Sequence, residues 1–303
     1  MFLRSLALSL TVAAAAIMPS HAASLLDETP RIAVVSAFPP EWVELQKSLS
    51  DTAEHTINGR KFITGKLEGK DVVLFLSGVS MVNAAMTTQS ALDQFVISSV
   101  VFSGIAGGAD AELNIGDVFI ADKWGQHLET ILARKTDAGF EIPPFFTQQF
   151  PGYGMLVPNT VTVTKKGVEG DERRFWFDAD STLLEAARAV AAKLDLEDCA
   201  EENKCLSEAP KLVVGGNGVS GSAFVDNAEY RDYLVDTFEA KVIDMESAAV
   251  AQVAYTNDVP FLAVRSRSDL AGGGDGANEM ATFMALASKN SATVVKALLA
   301  EIK

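Results

Sequence analysis

Short β-branched apolar runs, separated in several places by helix-like stretches, constrain what this chain can fold into. The runs are RIAVVSAF (31–38), DVVLFLSG (71–78), SSVVFSGIAGG (98–108), GDVFIAD (116–122), KLVVGGNG (211–218), AKVIDME (240–246) and VPFLAVRSRSD (259–269). Their length and Val/Ile content read as buried strands. Helix-like stretches lie at 40–49, 81–95, 181–194, 228–238 and 281–302. This alternation predicts a single α/β domain over 31–303, with a mixed, mainly parallel central sheet flanked by helices. In such sheets ligands bind beyond the carboxyl ends of the strands. The polar residues that end the runs therefore gather at one rim. The aromatic, Pro- and Gly-rich stretch within 123–180 reads as a long excursion near that rim, a lid or a subunit contact.

The first residues stand apart from this pattern. MFLRSLALSLTVAAAAIMPSHAAS has one early arginine, Arg4, then an apolar run and small residues. That is the form of a secretory signal over 1–22, cleaved after Ala22 or Ala23. The apolar run is short for a membrane span. The expected location is therefore exported, periplasmic or secreted, with no membrane association after cleavage. Cys199 and Cys205 then read as a small local disulfide in an oxidising compartment. The formal charge of −15 argues against nucleic acid or an anionic membrane as partner.

Two acids, Asp244 and Glu246, sit where a solvent face is not expected. Glu246 shares a helical stripe with Ala249, Val250 and Val253 by i, i+3, i+4, i+7 spacing. Its neighbour Asp244 ends the preceding apolar run. Glu41 follows Pro40 at the end of the first strand, and Asp269 closes the last. Taken singly, each has an ordinary reading: Glu41 and Glu246 complement a helix N-terminus, and Asp269 caps a turn. Each also has a chemical one, since a protonated acid at the rim can serve a ligand. Phe224 is either a core aromatic or a stacking platform for a planar base. The glycine loop at 104–108 lacks both the dinucleotide G-x-G-x-x-G pattern and a phosphate-loop lysine. His21, His55 and His127 form no triad or metal-ligand spacing, and no metal or cofactor is expected.

Taken together and in chain order, six segments resemble the nucleoside phosphorylase/nucleosidase superfamily. They are RIAVVSAFPPEWVEL, LSGVSMVNAA, SGIAGGADAELNIGDVFIAD, SGSAFV, VIDMESAAVAQVAY and VRSRSD. The similarity is strongest to its methylthioadenosine/S-adenosylhomocysteine nucleosidases. It spans about 31–122 and 211–302, and leaves 123–210 as a divergent excursion. The resemblance implies that Glu41 activates water, that Asp269, held by Ser268, protonates the purine at N7, and that Arg265 orients Glu41 or the water. It implies that Glu246 accepts the ribose hydroxyls, Met245 packs on the sugar, Phe224 stacks on the base and the Val225 backbone meets the base edge. Ile105, Ala106, Gly107, Phe38 and Met280 complete the implied substrate-binding set.

The implied substrate is a small purine nucleoside, and the implied assembly is a homodimer. Phosphorylases of the superfamily hold phosphate with arginines near the first strand and the glycine loop. SAFPPEW and SGIAGGAD contain none, so water is the expected nucleophile. A phosphate-dependent phosphorylase and a non-catalytic nucleoside-binding protein of the same fold are the alternatives. Two positions depart from the family pattern: Ile105 stands where the nucleosidases carry serine, and Phe38 replaces a methionine. An exported location points to scavenging of extracellular nucleosides.

Overall fold

The computed structural model describes residues 25–110, 113–199, 205–273 and 278–302. The candidate signal at 1–22 lies outside the described residues. The strand Phe95–Gly108 is the hub of a twelve-stranded sheet. Its residues Val100, Val101 and Phe102 pair in parallel with Ala33–Val35 on one side and Phe261–Ala263 on the other. Its last residues, Gly107 and Gly108, turn to pair antiparallel with Ile243 and Val242. One long strand thus touches the three segments that carry the acids.

Both faces of the central strands are buried, which is why their sequences are continuously apolar rather than alternating. Ala33, Val35, Val73 and Phe75 join Phe102, Ala248, Ala251 and Ala254 in one core. Ile32, Val34, Val72 and Leu74 join Val264, Val295 and Leu298 in the other. The first core is covered by helices Met81–Gln94 (α2) and Ser247–Asn257 (α5), in contact with each other. The second is covered by Pro39–Lys47 (α1), Ser181–Ala191 (α3) and Met280–Glu301 (α6). Helix Ala228–Phe238 (α4) packs Leu234 and Phe238 into a third cluster. No helix among the described residues is long and apolar enough to cross a membrane.

Three features differ from the sequence expectation. The antiparallel strands Ser50–Ile57 and Arg60–Leu67 extend one edge of the sheet. Ser50–Ile57 is largely exposed, so no buried face marks it in the sequence. The run 211–218 divides into Leu212–Val214 and Asn217–Ser220, broken at Gly215 and Gly216, both at positive φ. The 123–180 segment is not wholly an excursion. Its ends, Lys123–Gln126 and Trp176–Asp178, are strands of the central sheet, and Trp124 and Phe177 are core residues. Only the residues between leave the sheet, in short two-stranded ladders. Phe150 there packs 4.5 Å from Phe175 and 5.1 Å from Phe238, which ties the segment to α4. Cys199 and Cys205 are disulfide-bonded.

Helix α3 begins at a side-chain cap: Asp180 accepts from the backbone N–H groups of Thr182 at 2.9 Å and Leu183 at 3.0 Å. Asp180→Ala leaves both donors without that partner and is expected to cost about 1 kcal/mol. Urea unfolding should show a lower midpoint with an unchanged slope.

Candidate active site

The acids meet in one cavity of about 200 Å³ at the carboxyl rim of the sheet. Glu41, Glu246 and Asp269 all line it, and each is buried. Of the residues expected in the site, Ser268, Met245, Phe224, Val225, Ile105, Ala106, Gly107, Phe38 and Met280 line it as well. Arg265 lies directly behind its wall.

Glu41 occupies the third position of α1 and turns back over the helix start. Its Oε2 accepts from the N–H groups of Ala37 at 2.6 Å and Phe38 at 3.3 Å. Its Oε1 accepts from the Ile105 N–H at 2.8 Å, which joins the first strand to the glycine loop. The helix-start reading and the rim reading of Glu41 are therefore both met by one side chain. Burial raises its pKa; the Arg265 charge and the three backbone donors pull the other way and do not fully offset it.

Glu246 stands at the N-cap of α5. Its Oε1 accepts from the Ser80 N–H at 2.7 Å. Ser80 adopts φ 81°, a strained backbone for a non-glycine residue, at the start of α2. Burial first, and then the neighbouring Asp244, push the Glu246 pKa up to about 7.

Asp269 reaches the cavity through a bulge. Arg267 pairs with Ala106 and Asp269 with Gly107, leaving Ser268 as the extra residue. A bulge can bring adjacent side chains to one side of a strand, and here Ser268 and Asp269 both face the cavity. Ser268 Oγ donates to Asp269 Oδ1 at 2.6 Å, and Asn278 Nδ2 donates to Oδ2 at 2.9 Å. Phe224 is 57% exposed beside the cavity, so it is not a core aromatic.

Arg265 is fully buried, its guanidinium 4.0 Å over the Phe102 ring. Its Nη1 lies 3.9 Å from Glu41 and its Nη2 3.8 Å from Glu246. Only a glycine fits beside it: a Cβ on Gly104 would fall 2.0 Å from Arg265 Nη1 and 2.6 Å from Glu41 Oε1. His127 is elsewhere, with Nδ1 2.9 Å from the Tyr230 hydroxyl, and burial lowers its pKa to about 4. Among the described residues no group of three or more His, Cys, Asp or Glu is placed to hold a metal.

Two participants escaped the sequence reading, and a third was seen without a role. Ser80 contributes only a backbone N–H, which no side-chain pattern reveals. Asn278 lies in an irregular loop with nothing to mark it. Asp244 was visible as a misplaced acid but had no assigned partner.

A parallel-centred α/β sheet whose carboxyl rim gathers four buried acids, Glu41, Asp244, Glu246 and Asp269, around a largely apolar cavity has the architecture of an enzyme for a small molecule. The chain belongs to the phosphorylase superfamily, which matches it over residues 31–300. The 5'-methylthioadenosine/S-adenosylhomocysteine nucleosidase of Listeria monocytogenes is 31% identical over 280 residues, 89% of this chain and 99% of that one. The corresponding nucleosidase of Colwellia psychrerythraea, solved with adenine, has a TM-score of 0.68 at 25% identity, covering 91% of this chain and 97% of its own. That of Neisseria meningitidis, solved with methylthio-immucillin-A, has a TM-score of 0.67 at 26% identity, covering 90% and 99%.

The sign of the Glu246 shift sets a stability prediction. Its folded pKa of about 7 exceeds the ordinary value of 4.5, so the folded state holds the proton more tightly. This contribution favours folding at low pH and is lost as pH rises from 4.5 towards 7. Thermal melts across that range should show Glu246→Gln losing less stability than wild type. Parallel curves would contradict the assignment.

Proposed function

We propose that the chain hydrolyses the bond between a purine base and its ribose, with methylthioadenosine-like nucleosides as the substrate class. The observation that carries this is the make-up of the cavity. Glu41, Glu246 and Asp269 converge on it, and none of its described lining residues is Lys, Arg or His. A phosphate dianion would find no cation on those walls, whereas water needs only a base.

In this reading Phe224 stacks on the base and the Val225 backbone meets its edge. Asp269, oriented by Ser268, delivers a proton to N7, and the C1′–N9 bond breaks with its electron pair going to the base. The sugar passes through an oxocarbenium-like state, as in glycoside hydrolysis. Glu246 accepts the ribose hydroxyls, Met245 packs on the ring, and the negative charges nearby favour the developing cation. Glu41 takes a proton from water as its oxygen bonds to C1′. Arg265, behind the wall, presents its two Nη groups towards Glu41 and Glu246 and steadies the Glu41 carboxylate that serves the water. Ile105 leaves its side of the pocket apolar. Ala106, Gly107, Phe38 and Met280 shape the remainder.

The test is incubation of purified protein with methylthioadenosine, adenosylhomocysteine, adenosine and inosine, with and without phosphate. Free base should appear at equal rates in both conditions, and Asp269→Asn should lower turnover at least about 100-fold with an unchanged melt. A strict phosphate requirement would overturn the hydrolytic reading.

We also propose that the protein works after export and as a homodimer. The leader-like first residues and the Cys199–Cys205 bond support the former, since such bonds persist in oxidising compartments. Exposed Val79, Val82 and Met86 at the start of α2 and along it, next to the cavity, offer an apolar face for a second copy. Cell fractionation should yield a periplasmic or secreted species whose first residue is Ala23 or Ser24. An unprocessed cytoplasmic chain would remove the export reading.

A further inference from the structure

Asp244 is a buried acid for which the mechanism above has no use. It lines the cavity beside Glu246, and its two oxygens do different things. Oδ1 is locked: it accepts from Ser220 Oγ at 2.5 Å and from the N–H groups of Glu246 and Ser247, both at 3.1 Å. Ser220 Oγ in turn accepts from the Ala248 N–H at 2.9 Å. Oδ2 faces Arg265 Nε at 2.7 Å. That Nε–H is directed to Ser247 Oγ, 3.0 Å away, so the contact with Asp244 is an ion pair rather than an aligned hydrogen bond.

The other end of the guanidinium is unusual. Both Nη atoms are buried and have no hydrogen-bond partner, although carboxylates stand 3.9 Å and 3.8 Å away. A buried arginine ordinarily closes such gaps into direct, charge-assisted bonds. Here it is gripped from behind by Asp244, Ser247 and the Phe102 ring.

We propose that Asp244 is a positioning residue that holds Arg265 short of Glu41 and Glu246, leaving both carboxylates open to the ligand. This rests on the hydrolase reading for its consequence, though not for its geometry. The charged groups around Glu246 are Asp244, Arg265 and Glu41, from three separate elements, with the Ser80 N–H from a fourth. His127 lies within electrostatic reach of Asp244, and burial lowers its pKa to about 4. Removing the Asp244 charge takes a like charge away from Glu246 and lets Arg265 advance. Both changes favour the ionised glutamate.

Asp244→Asn tests this, because it keeps the size of the side chain and an acceptor for the α5 N–H groups. A crystal structure of the variant should show an Nη atom about 2.9 Å from Glu41 or Glu246. The acid limb of kcat/KM should move down by about one pH unit or more. A shift of about 1 Å in the guanidinium should lower kcat about 100-fold. The span of pH over which stability is lost should contract towards acid, a readout that needs no activity. Asp244→Glu, which retains the charge, should restore the wild-type pH profiles. An unmoved guanidinium with an unmoved pH dependence of stability would overturn the proposal.

If Asp244→Asn does not fold, the ligand-free wild-type crystal structure decides: Nη atoms within hydrogen-bond distance of either glutamate sink it, and retained gaps support it. If the wild type cleaves no nucleoside but the variant shifts its structure and stability as stated, the hydrolase reading fails and the positioning role stands.

Discussion

The rest of the site is arranged around one solvent-free guanidinium. A lone cation in that position would be strongly unfavourable, and Arg265 is tolerated because Asp244, Glu41 and Glu246 surround it from three elements of the chain. Burial raises the acid pKa of both Glu41 and Glu246, and at Glu246 the like charges of Asp244 and Glu41 add to the rise. The local oddities follow. Position 104 has no room for a side chain beside the guanidinium. Ser80 takes a left-handed backbone angle, and its N–H reaches Glu246. Glu41 folds back across its own helix start to collect three N–H donors.

The sheet supplies the placement. Parallel strands leave their carboxyl ends on one edge, and Phe95–Gly108 is long enough to pair with one neighbour through its first half and with two others through its second. Glu41, Glu246 and Asp269 come from the ends of three of those neighbours. Their side chains differ in environment: one is bound by backbone donors, one sits between like charges, and one is held by a hydroxyl and an amide. Carboxyls in unlike surroundings can serve as acid and base at a common pH.

How much of this was legible in the sequence depended on burial. Strands covered on both faces, such as Ile32–Val35 and Val72–Phe75, announce themselves as unbroken apolar runs. The edge strand Ser50–Ile57 has no buried face and left no such trace. Lys123–Gln126 and Trp176–Asp178 are too short for a periodicity, and the aromatic residues between them drew attention to the loops rather than to the strands that bound them. Glu246 was readable because an acid on an apolar stripe is anomalous, whereas Glu41 and Asp269 had ordinary helix-start and turn readings and took their roles from the resemblance of the segments around them. The Ser80 backbone donor and the Asn278 amide were not readable, since their contributions exist only once distant segments meet.

The contact between Glu246 and Ser80 spans 166 residues of sequence. The Glu41 bond to Ile105 spans 64. No contiguous fragment shorter than most of the domain contains every group that shapes this cavity. A nascent chain, or one whose sheet has come apart at the hub strand, therefore keeps none of the pocket in working order. Competence here is a property of finished assembly.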